Sequence, residues 1–407
     1  MSVLPSPSNT SAPQSKGYEA NLDDLLLRFA VGPGRQLNIN TAPLQAQAIQ
    51  TSETPEDFQQ EFGQIYSRTD FSGGSGLDKA HKRDAGEFAF TRFWDSKGVD
   101  VFSGKEVGQE YKVSLLKSTE ELSSSTNTNL YMEEMGGSIF FADSDVLKRI
   151  DTPTATSISV TSETAPSAGN AITGLAVLGT QLYIVANGVI YKRTGASTYS
   201  SHNSHKTFSK IWSMKGRIVA SDTSGDLYEV PDGSNPTTMK TLPTGTEWTD
   251  LADGGAVVLG AASDGYIYSF ADESSSLTLK GQTFIEGEVP NAIDAAQGFI
   301  FYGTFQNTAS GKIGRLYRAE ITNANSLYVL VNAQLIKQWG DGTTTIDQSP
   351  YKIISTRDSI YTGIKDSGSV TNLWRYYLPT TGIARDLEFA EGGIVEGIAV
   401  FSDRIFA

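Results

Sequence analysis

The chain has 407 residues, 32 Lys+Arg against 46 Asp+Glu (net charge −14), 39% apolar and 19% charged residues, and no cysteine. This composition excludes a chain disordered throughout and any disulfide or thiolate chemistry. The acid excess argues against nucleic acid as the main partner, because phosphate neutralisation needs clustered Lys and Arg. No run of 18 apolar residues predicts membrane insertion, and MSVLPSPSNT lacks the layout of a secretory signal.

Residues 1–53 hold five of the fourteen prolines (Pro5, Pro7, Pro13, Pro33, Pro43) and only two aromatics, Tyr18 and Phe29. Their one apolar run, Leu25 to Val31, is too short for a core, so 1–55 read as an extended Pro-rich arm. Residues 56–105 reverse that composition, with nine aromatics in fifty positions. Thr54-Pro55-Glu56 followed by Phe58, Phe62, Ile65 and Tyr66 predicts a helix of about three turns. Ser72-Gly73-Gly74-Ser75-Gly76 reads as a turn, since no Lys-Ser/Thr follows it as a phosphate loop requires. The aromatic stretch Phe88 to Trp94 completes the segment.

From about residue 99 the pattern becomes short β runs separated by turn signals, and 106–407 read as one β domain. One unit recurs: an apolar strand, a Gly or Asp turn, an I-V-A type strand, a tight turn, and a third strand carrying an aromatic residue. The third strand can be followed through Tyr191, Tyr228, Tyr268, Tyr317 and Trp374, at spacings of 37, 40, 49 and 57 residues, with Lys148 standing in that place in the first unit. A period near ~40–50 residues with three visible strands and room for a fourth predicts a β-propeller. A sandwich with accidental spacing is the bland alternative. Asn187-Gly188 and Asp264-Gly265 each fit a type I′ hairpin turn. First strands begin near 130, 172, 208, 248, 290, 350 and 394, so about seven blades are expected. The seventh unit lacks outer strands. Either Gly98–Phe102 and Tyr111–Leu116 pair with Ile394–Phe406 to close the ring, or a longer natural chain completes it.

The chemistry-bearing residues give little. Asp250, Asp294 and Asp358 lie near first strands, superficially as a glycosidase pair would. Asp358 falls in an expected turn, and neither of the others has a supporting Arg or His cluster. Glu133 and Glu134 are consecutive and must point to opposite faces, so at least one faces solvent. His81, His202 and His205 supply neither a metal set nor a triad. Ala262 to Tyr268 looks like the outer hairpin of pyrroloquinoline-quinone-type repeats, but in one unit only, so blade architecture without a cofactor is the reading. No catalytic residue, metal or cofactor is assigned.

Tyr66-Ser67-Arg68-Thr69-Asp70-Phe71-Ser72-Gly73-Gly74-Ser75-Gly76, then Arg92-Phe93-Trp94-Asp95-Ser96 and Gly98-Val99-Asp100-Val101-Phe102, resembles a segment of minor tail proteins of tailed bacteriophages. There a similar segment precedes a propeller-like region. The resemblance covers about forty residues and implies a non-enzymatic structural protein of the virion tail or tail tip, assembled in the host cytoplasm. On that reading 1–55 is an assembly arm. Residues 56–105 dock on other tail proteins through Phe71, Phe88, Phe90, Phe93 and Trp94, and 106–407 form a rigid exposed platform repeated as a trimer or hexamer. The competing reading of those aromatics is that they pack on the propeller's own side. The alternative function is a propeller that recognises a host-surface glycan or protein.

Overall fold

A computed structural model describes residues 131–407 except 156, 274–275, 343–344, 369, 390–392 and 402–403, together with 17–22, 25–31, 37–41, 74–75, 92–93, 99–102, 114–115 and 122. Every regular element among them is a strand. The helix expected over 54–66 lies outside the described residues. The chain divides into two compact units, 1–116 with 380–385, and 117–379 with 386–407.

In the first unit, Gly17–Leu22, Leu25–Val31 and Leu37–Thr41 form an antiparallel meander. An extended arm was expected there. The apolar run Leu25 to Val31 instead becomes the central strand, bonded on both edges, which removes the unpaired backbone groups of a lone strand. Gly74-Ser75, expected as a turn, is a short strand between Ile383 and Arg92–Phe93, parallel to both. Gly74 has φ +73°, and a Cβ there would overlap the Ile383 backbone, so only glycine serves.

The second unit is a β-propeller. Five four-stranded antiparallel sheets follow in chain order, blade 1 (132–163), blade 2 (172–203), blade 3 (208–241), blade 4 (248–284) and blade 5 (289–339), and blade 6 (353–389) supplies the first four strands of a six-stranded sheet. One rung repeats across the first three strands of every blade. It reads Met132–Phe141–Lys148, Leu175–Ile184–Tyr191, Ile211–Ala220–Tyr228, Leu251–Gly260–Tyr268, Ile293–Tyr302–Tyr317 and Ile353–Thr362–Trp374. The aromatic register read from the sequence is therefore structural. Lys148, the exception, pairs with Asp143 at 2.5 Å and lies over the Phe141 ring.

Hydrophobic cores sit between successive blades. Phe140 and Leu147 meet Ile172 and Leu182; Val185 and Ile190 meet Phe208 and Ile218; Val219 and Leu227 meet Trp248 and Phe270; Leu259 and Ile267 meet Ile293 and Ile300. Both faces of each sheet are thus covered, which is why second strands such as Val257–Ala262 are buried at every position.

Seven blades were expected, and six complete ones are observed. The seventh place holds a two-stranded hairpin, Ala399–Phe401 with Arg404–Phe406. Its expected partners pair elsewhere, Val99–Asp100 with Ser114–Leu115. The hairpin still has two walls. Ile398 and Val400 pack with Tyr361 and Leu373 of blade 6, and Ala399 and Phe406 with Ile139 and Ile150 of blade 1.

The turns divide. Asn187 and Gly188 both have positive φ (52° and 73°), as a type I′ turn requires. At Asp264-Gly265 only Gly265 does (88°). The Asp264 carboxylate instead caps the loop by accepting from the Tyr266 N–H at 3.1 Å, which leaves its own φ negative.

Candidate functional site

The innermost strands of blades 2 to 5 each carry a bulge at the same place, between Ile172 and Gly174, Phe208 and Lys210, Trp248 and Asp250, and Pro290 and Ala292. A bulge re-aims the side chain it carries. The bulged Thr249 donates to the Pro290 carbonyl at 3.0 Å and Asn291 to the Pro350 carbonyl at 3.1 Å, so each ties its blade to the next. The residues one before and one after the repeated rung share a strand face. Those positions hold Glu133, Lys210, Trp212, Asp250, Asp294 and Lys352, which gathers the inner-strand charges of five blades.

Asp250 is the hub. Its carboxylate is 4% exposed and accepts from the Leu251 N–H at 3.0 Å, the Trp212 indole at 3.2 Å and the Ile293 N–H at 3.3 Å. The Lys352 ammonium reaches both its oxygens. Blades 3, 4, 5 and 6 thus converge on one side chain. Burial works against the charge of Lys352, but Asp250, Asp294 and Glu133 more than offset it and hold the ammonium above the ordinary lysine value. Burial pushes Glu133 up to about 7; Lys352 opposes this and Asp250 adds to it. Asp294 is also raised by burial, although it accepts from the Ser355 N–H at 2.6 Å and the Ala295 N–H at 2.8 Å.

Chemically, Asp250 and Asp294 are already spent on backbone donors, an indole and an ammonium. Asp250 and Asp294, considered from sequence as a glycosidase pair, do belong to one cluster, but each is a structural acceptor. Asp358 sits in the turn between Ile353–Ser355 and Ser359–Ser367 and is exposed. Glu134 faces solvent while Glu133 turns inward. His202 is buried between the Asp232 carboxylate (3.2 Å) and the Val230 carbonyl (3.4 Å), edge-on to Tyr183, and burial lowers its pKa. His205 is exposed, so the two do not face a common ligand. No group of three or more potential metal ligands occurs among the described residues. Phe71, Phe88, Phe90, Trp94 and His81 lie outside the described residues. The Phe93 backbone pairs with Ser75.

A second feature was not legible in the sequence. A cleft of about 370 Å³ opens between blades 4 and 5, lined by the turn Ser263–Gly265, the connection from Phe284 to Val289, and Phe305 to Asn307. Its local signal is the apolar Phe284-Ile285 pair set in an acidic inter-blade connection.

No family model and no curated protein matches the chain. Among solved structures it is similar to a chain of the mitotic checkpoint complex (10% identity, TM-score 0.47, 70% of this chain and 92% of that one). It is also similar to the Cps50 (Swd1) β-propeller domain of Myceliophteria thermophila (11%, 0.49, 69% and 92%) and to U3-55K (12%, 0.46, 68% and 86%). The assignment as a β-propeller rests on the sheet order and the repeated rung above.

Proposed function

We propose that the chain is a non-enzymatic structural component of a bacteriophage tail, with the propeller as a rigid platform. The observation that carries the non-enzymatic part is the state of the axial carboxylates. Glycoside hydrolysis needs a second carboxylate whose lone pairs are free for water or the sugar. Asp250 instead accepts four donors from four blades, and Asp294 is held by two backbone N–H groups. The tail assignment draws on the Tyr66 to Phe102 resemblance and on its order along the chain, docking segment first and propeller second. Residues 1–55 and the aromatic segment then contact neighbouring tail subunits, and copies associate as a trimer or hexamer. Light scattering on the full chain and on a chain lacking 1–55 tests this. A multimer that falls to a monomer on truncation is expected; a monomer of ~44 kDa in both cases overturns the assembly role of the arm.

The second reading is recognition of a host-surface glycan or protein by the propeller. The inter-blade cleft, with a half-exposed phenylalanine on its wall, favours it.

A further inference from the structure

We propose that the cleft between blades 4 and 5 is a binding site for an uncharged saccharide, one pyranose ring resting on Phe284. This deepens the recognition reading and rests on it.

Phe284 is 56% exposed, the largest exposure among the large apolar side chains described. A single exposed apolar residue needs no explanation, but this one lines an open cleft. Its volume lies at the lower end of the roughly 300–1,000 Å³ found for small-molecule sites. The ring is also held in place. Tyr266 packs against it at 5.0 Å between centroids, and Gly265 lies so close that a Cβ there would come within 3.2 Å of the ring edge. A fixed aromatic ring more than half exposed suits the C–H face of a sugar ring, because stacking costs little ordering of the protein.

The polar groups decide the ligand's charge. An acidic, aromatic cleft could equally take a cation, but Glu288 and the Phe305 ring already have theirs. Lys312 lies over the Phe305 ring at 4.5 Å, and Arg315 pairs with Glu288. Glu288 further accepts from Tyr317 at 2.9 Å and from Thr304. What remains is the Asp264 carboxylate and the Gln306 amide. Asp264 accepts from the Tyr268 hydroxyl at 2.7 Å and the Tyr266 N–H, two neutral donors that leave lone pairs for sugar hydroxyls. Gln306 accepts from Arg315 through its oxygen at 3.1 Å, which leaves its amide N–H groups to donate. An anionic sugar would meet two carboxylates and a chain of net charge −14.

Saturation-transfer NMR on the full-length protein tests this, with cellobiose, lactose, chitobiose and sialyllactose as probes, alongside N-acetyl-lysine methylamide. At least one uncharged disaccharide should receive saturation and sialyllactose none. Phe284→Ala should weaken the response at least tenfold and Asp264→Asn severalfold, with thermal unfolding unchanged in each variant. If a sugar binds equally well to Phe284→Ala, the site is wrong while glycan recognition stands. If no saccharide binds, on these probes or on a broad glycan array, the glycan reading itself falls. Lysine-amide binding that depends on Phe284, without sugar binding, would replace the saccharide by a cationic ligand.

Discussion

The Lys352 ammonium lies 3.3 and 3.4 Å from the two carboxylate oxygens of Asp250, although 102 residues separate them and they belong to blades 6 and 4. Because blade 5 lies between those two in chain order, the pair acts as a strut across neighbouring inner strands. The same carboxylate takes the Trp212 indole and the Ile293 N–H, so the strut serves four blades at once.

Removing one partner should therefore cost more than a surface pair would. Lys352→Met leaves the Asp250 charge 5% exposed and short of a cation, and should lower stability by about 2 kcal/mol. The figure is kept below the range for fully buried pairs because the lysine is itself 34% exposed. Asp250→Asn with Lys352→Met should recover part of the loss. A double-mutant cycle by urea denaturation measures this, with a coupling of about 1 kcal/mol or more expected. Additive single mutants would show that the strut is only a contact.

Glu133 sets a pH dependence whose sign can be worked out. Its carboxyl titrates at 4.5 when unperturbed and is pushed up to about 7 by burial. The folded state thus favours the protonated form. Its contribution to stability is fully present below pH 4.5 and is lost as pH rises through 7. Glu133→Gln should match the native chain at pH 4 and exceed it at pH 8 by about 1–3 kcal/mol. Thermal unfolding of both chains across that window reads the difference directly. A Gln variant less stable at pH 8 would mean that the ionised Glu133 is needed by Lys352.

The propeller was legible because its rung is periodic. Tyr228, Tyr268 and Tyr317 stand at one place in successive third strands, and a local sequence unit carries that information by itself. The blade count was less so, since the hairpin that fills the seventh place is only three residues per strand and its neighbours are recognisable only from packing. The axial cluster was legible in part: Asp250 and Asp294 stand out near first strands, but their cation does not. Lys352 follows Tyr351 in an irregular stretch, and nothing local distinguishes it from a surface lysine until ring closure brings it to Asp250. Gly74 misled for the same reason. Its close approach is to Ile383, more than three hundred residues away, while its immediate neighbours spell a turn.

Blades 1 and 2 are joined at their outer strands by a buried carboxylate. Glu163, 2% exposed, pairs with Arg149 at 2.7 Å and with Arg193 at 2.7 and 2.8 Å, and accepts from the Ser197 N–H at 3.2 Å. Burial alone would raise its pKa, but those donors outweigh it and hold the carboxyl below the usual range. The stability it supplies is present above the ordinary carboxylate value and is lost as pH falls through the depressed one. Glu163→Gln leaves two guanidinium groups without their anion and should cost about 3 kcal/mol at pH 7, the gap narrowing below pH 4. Guanidinium-induced unfolding at pH 7 and pH 3.5 would show it; an equal loss at both would mean that shape, and not charge, is what Glu163 contributes.

The hairpin at the seventh place closes the ring, and its loss should be felt on both sides. A side chain at Gly363 in blade 6 would overlap Val395, and Phe406, 8% exposed, fills the interface with blade 1. An open ring would leave the inter-blade faces of blades 1 and 6 wet and their backbone edges free to pair with other chains. Phe406→Ala should cost about 3 kcal/mol, as removal of a buried phenylalanine side chain does. Gly363→Val should release the hairpin from its other wall. In hydrogen exchange, either change should raise the rates of both Ser138–Asp143 and Ser359–Ser367, because each strand borders the same hairpin. If Phe406→Ala loosened only blade 1 and Gly363→Val only blade 6, the hairpin would be two separate patches and not the closure of a cooperative ring.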